Sequence, residues 1–192
     1  MLRLSFLTTT ALLAMACAGC STPASHSKGG GSGEGMDAHM ASMKGKVAFA
    51  TLTPTQGNTV RGRFVFHQMG DHVMVHAQVS GLKPNAEHGI HVHEKGDCAS
   101  ADGTSAGGHF NPDGKPHGPQ SAAHHAGDMP ALKADANGAA NQKFMLMGPT
   151  VSAGAASLLD RAVIVHASPD DYTTQPTGNS GARIACGVIA GM

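Results

Sequence analysis

The sequence has no tryptophan and a single tyrosine, Tyr172, among its 192 residues. That scarcity excludes the aromatic platforms on which single-strand nucleic-acid binders stack bases. Charge is thin as well: 14% of the residues are charged, and 13 acidic side chains balance 13 basic ones. A neutral balance supplies no basic face for nucleic acid and no self-repulsion to keep the chain unfolded. The longest apolar stretch, residues 4–18, is broken by Thr8, Thr9 and Thr10. It falls short of the ~18–20 apolar residues that span a bilayer. No window carries a helical stripe. What is abundant is glycine, at 26 residues, which suits a loop-rich β protein, and histidine, at 13. That many imidazoles in a neutral chain point to metal.

The first residues read as an address. Arg3 supplies positive charge ahead of the short apolar segment, so residues 1–19 are expected to be an export signal. The run Cys17-Ala18-Gly19-Cys20 resembles a bacterial lipobox, in which the last cysteine, here Cys20, is lipidated. Cys17 stands where that pattern usually has leucine, and ordinary cleavage after Ala16 or Ala18 is the alternative. On the lipobox reading the protein is exported to the periplasm or cell envelope and meets the membrane only through Cys20. Residues 20–43, with Gly29-Gly30-Gly31-Ser32-Gly33, form an expected linker, and residues 44–192 the folded domain. His26, Met36, His39, Met40 and Met43 sit in or beside that linker and are donors that copper accepts. With Cys17 and Cys20 accounted for, Cys98 and Cys186 remain in an exported chain, and a disulfide between them is expected.

The domain has period-two segments. In residues 72–79, Val73, Val75, Ala77 and Val79 face one way, and His72, Met74, His76 and Gln78 the other. In residues 60–67, Phe64 and Phe66 oppose Arg61, Arg63 and His67, and Met69-Gly70-Asp71 supplies the turn between the two strands. Further strands are expected over residues 46–53, 88–93, 142–147, 162–166 and 183–190. Short strands with Gly/Pro/Asn turns indicate an all-β sandwich or barrel. Two long connections, residues 94–129 and 167–182, are expected to be functional loops.

Six of the histidines lie between positions 91 and 125. On a strand, His91 and His93 share one face while Ile90 and Val92 face the core, which makes half of a metal site. His109, His117 and the doublet His124-His125, followed by Asp128, add N/O donors of the kind zinc takes. A loop gains order from such a metal.

Three segments together resemble copper–zinc superoxide dismutase: the run from Gly89 through His91-Val92-His93 to Cys98, then Gly107-Gly108-His109-Phe110-Asn111-Pro112, then Gly178 through Arg183 and Cys186 to Ile189. The stretch from Asp170-Asp171-Tyr172 to Gly178 resembles the exported bacterial branch. The resemblance implies an eight-stranded antiparallel Greek-key barrel or sandwich of immunoglobulin-like kind with two long loops. It implies one copper ion held by His91, His93, His109 and His166, and one zinc ion held by His109, His117, His125 and Asp128. The family's spacing selects His125 over His124. Asp170 matches a carboxylate linking a copper ligand to a zinc ligand, and Cys98 and Cys186 match the family disulfide. Arg183 matches the cation that orients a small anion beside copper, and Lys95 is a second candidate for a local positive field. The implied activity is disproportionation of superoxide to dioxygen and hydrogen peroxide, with His109 moving a proton. A homodimer and a monomer are both open. The rival reading is a non-catalytic copper/zinc-binding or storage module on the same barrel. It would be favoured by a missing copper ligand or a missing Arg183, and neither is missing.

Overall fold

The computed structural model describes residues 46–192; the expected signal, Cys20 and the linker lie outside the described residues. Seven strands form one curled antiparallel sheet: β1 (Val47–Pro54), β2 (Arg61–Met69), β3 (His72–Ser80), β5 (Ile90–His93), β7 (Ala140–Met147), β8 (Ala162–His166) and β9 (Arg183–Gly191). Their order is β5-β8-β9-β1-β2-β3-β7, so the first strand lies beside the last. Two short strands, β4 (Glu87–His88) and β6 (Leu132–Lys133), pair separately. Curling encloses the main core, and the fold is an all-β Greek-key half-barrel. The helical element among the described residues is a single 3-10 turn, Thr104–Ala106.

The alternating segments fold as their period dictates. Ala48, Ala50 and Leu52 of β1, Phe64 and Phe66 of β2, and Val73, Val75, Ala77 and Val79 of β3 line the core. Their neighbours stand on the outer face, where cross-strand pairs meet rather than core contacts.

The strand expected over residues 88–93 breaks at Gly89 into β4 and β5, and β6 is a further short strand outside the expected segments. The Gly89 N–H donates to Ser168 O and its carbonyl accepts from His166 N–H, while His88 pairs with Leu132. The partner strand β6, two residues long, is too short to show a period.

The half of the sheet that matters for function is β5-β8-β9. Every residue of β5 and β8 is buried. Ile90, Val92, Val163 and Val165 face the main core, whereas Ala162, Ile164 and Cys186 face a small second core with Ala106 and Cys98. The expected disulfide between Cys98 and Cys186 is present and pins the loop following β5 onto β9 across 88 residues of sequence.

Candidate metal centre

The outward side chains of β5 and β8 are where the histidines converge. His91 and His93 point away from the core because Ile90 and Val92 point into it. The remaining edge of β5 is filled by loop backbone. Phe110 N–H donates to Val92 O at 2.8 Å, Val92 N–H to Gly127 O at 2.8 Å, and Glu94 N–H to Gly108 O at 2.9 Å. This ladder sets His109 opposite His93 and Asp128 opposite His91. On the other side β5 pairs with β8, which ends at His166. The β8–β9 register shifts between Val165 and His166, and the bulge places Arg183 directly across from His166.

Four of the rings are oriented by a partner on the outer nitrogen. His93 Nδ1 donates to Gly107 O at 2.9 Å, and His166 Nδ1 to Gly181 O at 3.1 Å. His91 Nε2 donates to Asp170 Oδ2 at 2.7 Å, and His117 Nε2 to Asp170 Oδ1 at 2.9 Å. A proton committed outward leaves a lone pair inward. The inward atoms are His91 Nδ1, His93 Nε2, His109 Nε2, His117 Nδ1 and His166 Nε2, all buried without a hydrogen-bond partner. Leaving five buried nitrogens unpaired is costly unless something else binds them.

They sort into two sets. Donor atoms of His91, His93, His109 and His166 lie within 4.8 Å of one another. In the second set, Asp128 Oδ1 stands 2.9 Å from His109 Nδ1, 3.0 Å from His117 Nδ1 and 3.2 Å from His125 Nδ1. His109 and His125 Nδ1 are 3.3 Å apart. The His117 contact is short yet misaligned for a hydrogen bond. A tetrahedral zinc with bonds of about 2.0–2.1 Å has donor–donor edges of about 3.3 Å, so these spacings fit a shared cation. His109 presents one nitrogen to each set. His124 stays outside, its Nδ1 donating to Ala122 O.

Electrostatics favour donors over acids. Burial pushes His93 down to about 2 and His166 down to about 4, against their hydrogen bonds to Gly107 and Gly181; His109 and Arg183 nearby add to the depression. Burial likewise holds His91 well below the ordinary imidazole range and lowers His125. Burial alone would raise Asp128, but the His109 hydrogen bond, the His125 backbone N–H and the adjacent imidazoles hold its carboxyl well below the usual range. Neutral rings and an ionised carboxylate are the forms that bind a cation.

Arg183 is fixed beside the first set. Its guanidinium donates to Gly103 O at 2.8 Å and Gly107 O at 2.7 Å, both on the disulfide-tethered loop. It lines a surface cleft of about 450 Å³ with Thr55, Asn58, Thr104 and Gly181. Gly107 O therefore serves both Arg183 and His93. Lys95 is exposed.

Several positioning groups escaped the sequence reading. The carbonyls of Gly107 and Gly181 have no side-chain signature. Gln175 clamps the His117 backbone, accepting from its N–H at 2.8 Å and donating to its carbonyl at 2.9 Å. Gly178, at φ +64°, passes so near the Asp170 bridge that a Cβ would collide with Asp170 Oδ1 and lie 2.6 Å from His117 Nε2. The glycine could have been suspected from its place in the motif, but not its reason.

The fold and site together define a class: an all-β chain with two adjoining histidine-rich donor groups. Residues 60–189 match the family described as copper/zinc superoxide dismutase, and the chain belongs to that family. It is 40% identical to a copper–zinc superoxide dismutase of Aquifex aeolicus over 151 residues, covering 74% of this chain and 85% of the relative. It is 42% identical over 122 residues to the superoxide dismutase-like protein YojM of Bacillus subtilis, covering 61% of this chain and 62% of that one. Among solved structures, a superoxide dismutase-like protein from Bacillus subtilis superposes with a TM-score of 0.66 at 36% identity, covering 72% of this chain and 95% of its own. The clock protein EA4 superposes with a TM-score of 0.70 at 35% identity, covering 78% and 97% respectively.

Proposed function

We propose that the protein is an exported superoxide dismutase. His91, His93, His109 and His166 are its copper ligands, and His109, His117, His125 and Asp128 are its zinc ligands. The observation that carries this reading is the set of buried, partnerless ring nitrogens, four of them aimed inward by a hydrogen bond on the far side. Bound copper would supply the one-electron chemistry that turns two superoxide ions and two protons into dioxygen and hydrogen peroxide, while zinc would be redox-inert.

The chain's own groups do the rest. Arg183, held by two carbonyls, half-buried and paired opposite His166, attracts and orients the anion beside the copper set. His109 Nε2, which has no hydrogen-bond partner, would take and return a proton while Nδ1 stays in the zinc set beside Asp128. Asp170 keeps one ring of each set in the tautomer that donates inward. On this reading residues 1–19 are removed and Cys20 carries the lipid, which holds the enzyme at the cell envelope.

His166 belongs to the copper set alone, whereas His109 belongs to both. His166→Ala is expected to lose copper and superoxide-decay activity while retaining one zinc; His109→Ala is expected to damage both sites. Metal stoichiometry with activity on each variant is the test. Full activity in His166→Ala would refute the assignment.

A further inference from the structure

The register of the other half of the sheet assembles a second group of metal-accepting side chains, on strands that carry no residue of the histidine centre. On the outer face, β2 pairs Met69 with His72 and His67 with Met74. The opposite neighbour of β3 pairs His72 with Met147 and Met74 with Met145. Two adjacent rows result: Met69–His72–Met147 and His67–Met74–Met145. Directly opposed Cβ atoms lie about 4.5–5.5 Å apart, and the rows are separated by about 6.8 Å along the strands. Each is within reach of a flexible thioether.

The composition of this face is unusual for a solvated one. Six methionines fall among the described residues, and four of them are here. Met69, Met145 and Met147 are each more than half exposed, at 52%, 52% and 55%. Outer positions of an antiparallel sheet ordinarily carry polar side chains.

The donor chemistry names an occupant. Soft thioethers suit cuprous copper, imidazole accepts copper, and hard cations favour oxygen instead. His72 is already arranged as a ligand: its Nδ1 donates to Asp71 Oδ1 at 3.0 Å, which leaves the Nε2 lone pair free. A carboxylate behind a ring is how metal-binding histidines are commonly oriented. The Gly70 turn keeps Asp71 and His72 together, and Gln68 Nε2 donates to the carbonyls of Gly70 and His72 at 2.9 Å and 3.2 Å.

We propose that the outer face of β2, β3 and β7 is a surface binding site for one Cu(I) ion, held by His72 Nε2 and the thioethers of Met69 and Met147, with Met74 and Met145 beside them. The site shares no residue with the buried centre. It is open to solvent and accepts or yields its ion without opening the barrel.

The test is an anaerobic Cu(I) titration of the full chain against a chromophoric Cu(I) chelator, after the buried sites have been loaded with copper and zinc. The intact protein is expected to take one further equivalent. Met69→Leu with Met147→Leu, and separately His72→Asn, are expected to weaken that equivalent by about 100-fold or more, since even outer-sphere changes at metal sites cost up to that. Leucine conserves volume on an exposed face, so thermal stability and superoxide decay are expected to stay unchanged. Titration with Ag(I), a redox-inert mimic, should shift the methyl NMR signals of Met69, Met74, Met145 and Met147. The proposal is overturned if no further equivalent binds, if the variants bind as tightly as the parent, or if the shifts are confined to Met36, Met40 and Met43. It is likewise overturned if the face only joins two copies of the chain. None of these readouts depends on superoxide turnover, so failure here and failure of the dismutase reading are separable.

Discussion

Replacing Asp170 by asparagine separates the two metal sites through a single atom. Asp170 Oδ1 accepts from His117 Nε2 at 2.9 Å and from the Tyr172 backbone N–H at 2.7 Å, while Oδ2 accepts from His91 Nε2 at 2.7 Å. Asparagine has one oxygen and one NH₂. The orientation that keeps the oxygen on His117 and Tyr172 preserves two hydrogen bonds and turns the NH₂ toward His91. Two donors then face each other in a fully buried place, a clash worth about 1–3 kcal/mol. His91 escapes it by moving its proton to Nδ1, the atom that faces the copper set. Loss of such an outer partner costs roughly 10–100-fold in metal affinity, about 1.4–2.7 kcal/mol. Asp170→Asn is therefore expected to weaken copper by that factor and zinc by clearly less. Competition titrations of each metal against chelators of known affinity measure both. Unchanged copper affinity, or a loss confined to zinc, would refute the reasoning.

Gly178→Ala is expected to weaken both metals, because its Cβ displaces the Asp170 bridge and crowds His117; the same titrations check it. Arg183→Glu should lower the rate of superoxide decay by at least about tenfold at low salt, with Arg183→Lys in between and metal content unchanged; equal rates in stopped-flow decay would remove Arg183 from the mechanism. The metal-free protein should be acid-labile. Its His166 and His93 titrate at about 4 and about 2 when folded, below the ordinary 6.5, so above pH 6.5 both states are neutral and nothing is lost. As pH falls below 6.5 the unfolded chain takes protons that the folded chain refuses, and stability drops, by up to about 3 kcal/mol for His166 by pH 4. Urea midpoints at pH 7 and 4.5 read this, and equal midpoints would contradict it. Cys98→Ser with Cys186→Ser should cost up to roughly 4–5 kcal/mol by loop closure and release the Gly103 and Gly107 carbonyls from Arg183; calorimetry that shows no change would count against the tether.

What could be read in the sequence was whatever repeats locally. The alternation of residues 72–79 gave β3, and His91-Val92-His93 put two rings on one face because strand period leaves no other choice. The break at Gly89 and the strand β6 were not legible, since each depends on a partner more than forty residues away. The same holds for the bulge that sets Arg183 opposite His166, and for the Gly107 carbonyl that serves two side chains at once. The methionine face shows the limit most sharply. Met74 was visible on the outer side of its strand, but its neighbours Met69, Met145 and Met147 meet it only through the register of three strands.

The most direct test of the dismutase reading is superoxide decay after pulse generation, followed with protein loaded to measured copper and zinc contents. Decay proportional to the concentration of chains carrying one copper and one zinc, and abolished in His166→Ala, is the expected result. A protein that binds both ions at one per chain and leaves superoxide to decay at its uncatalysed rate would contradict it.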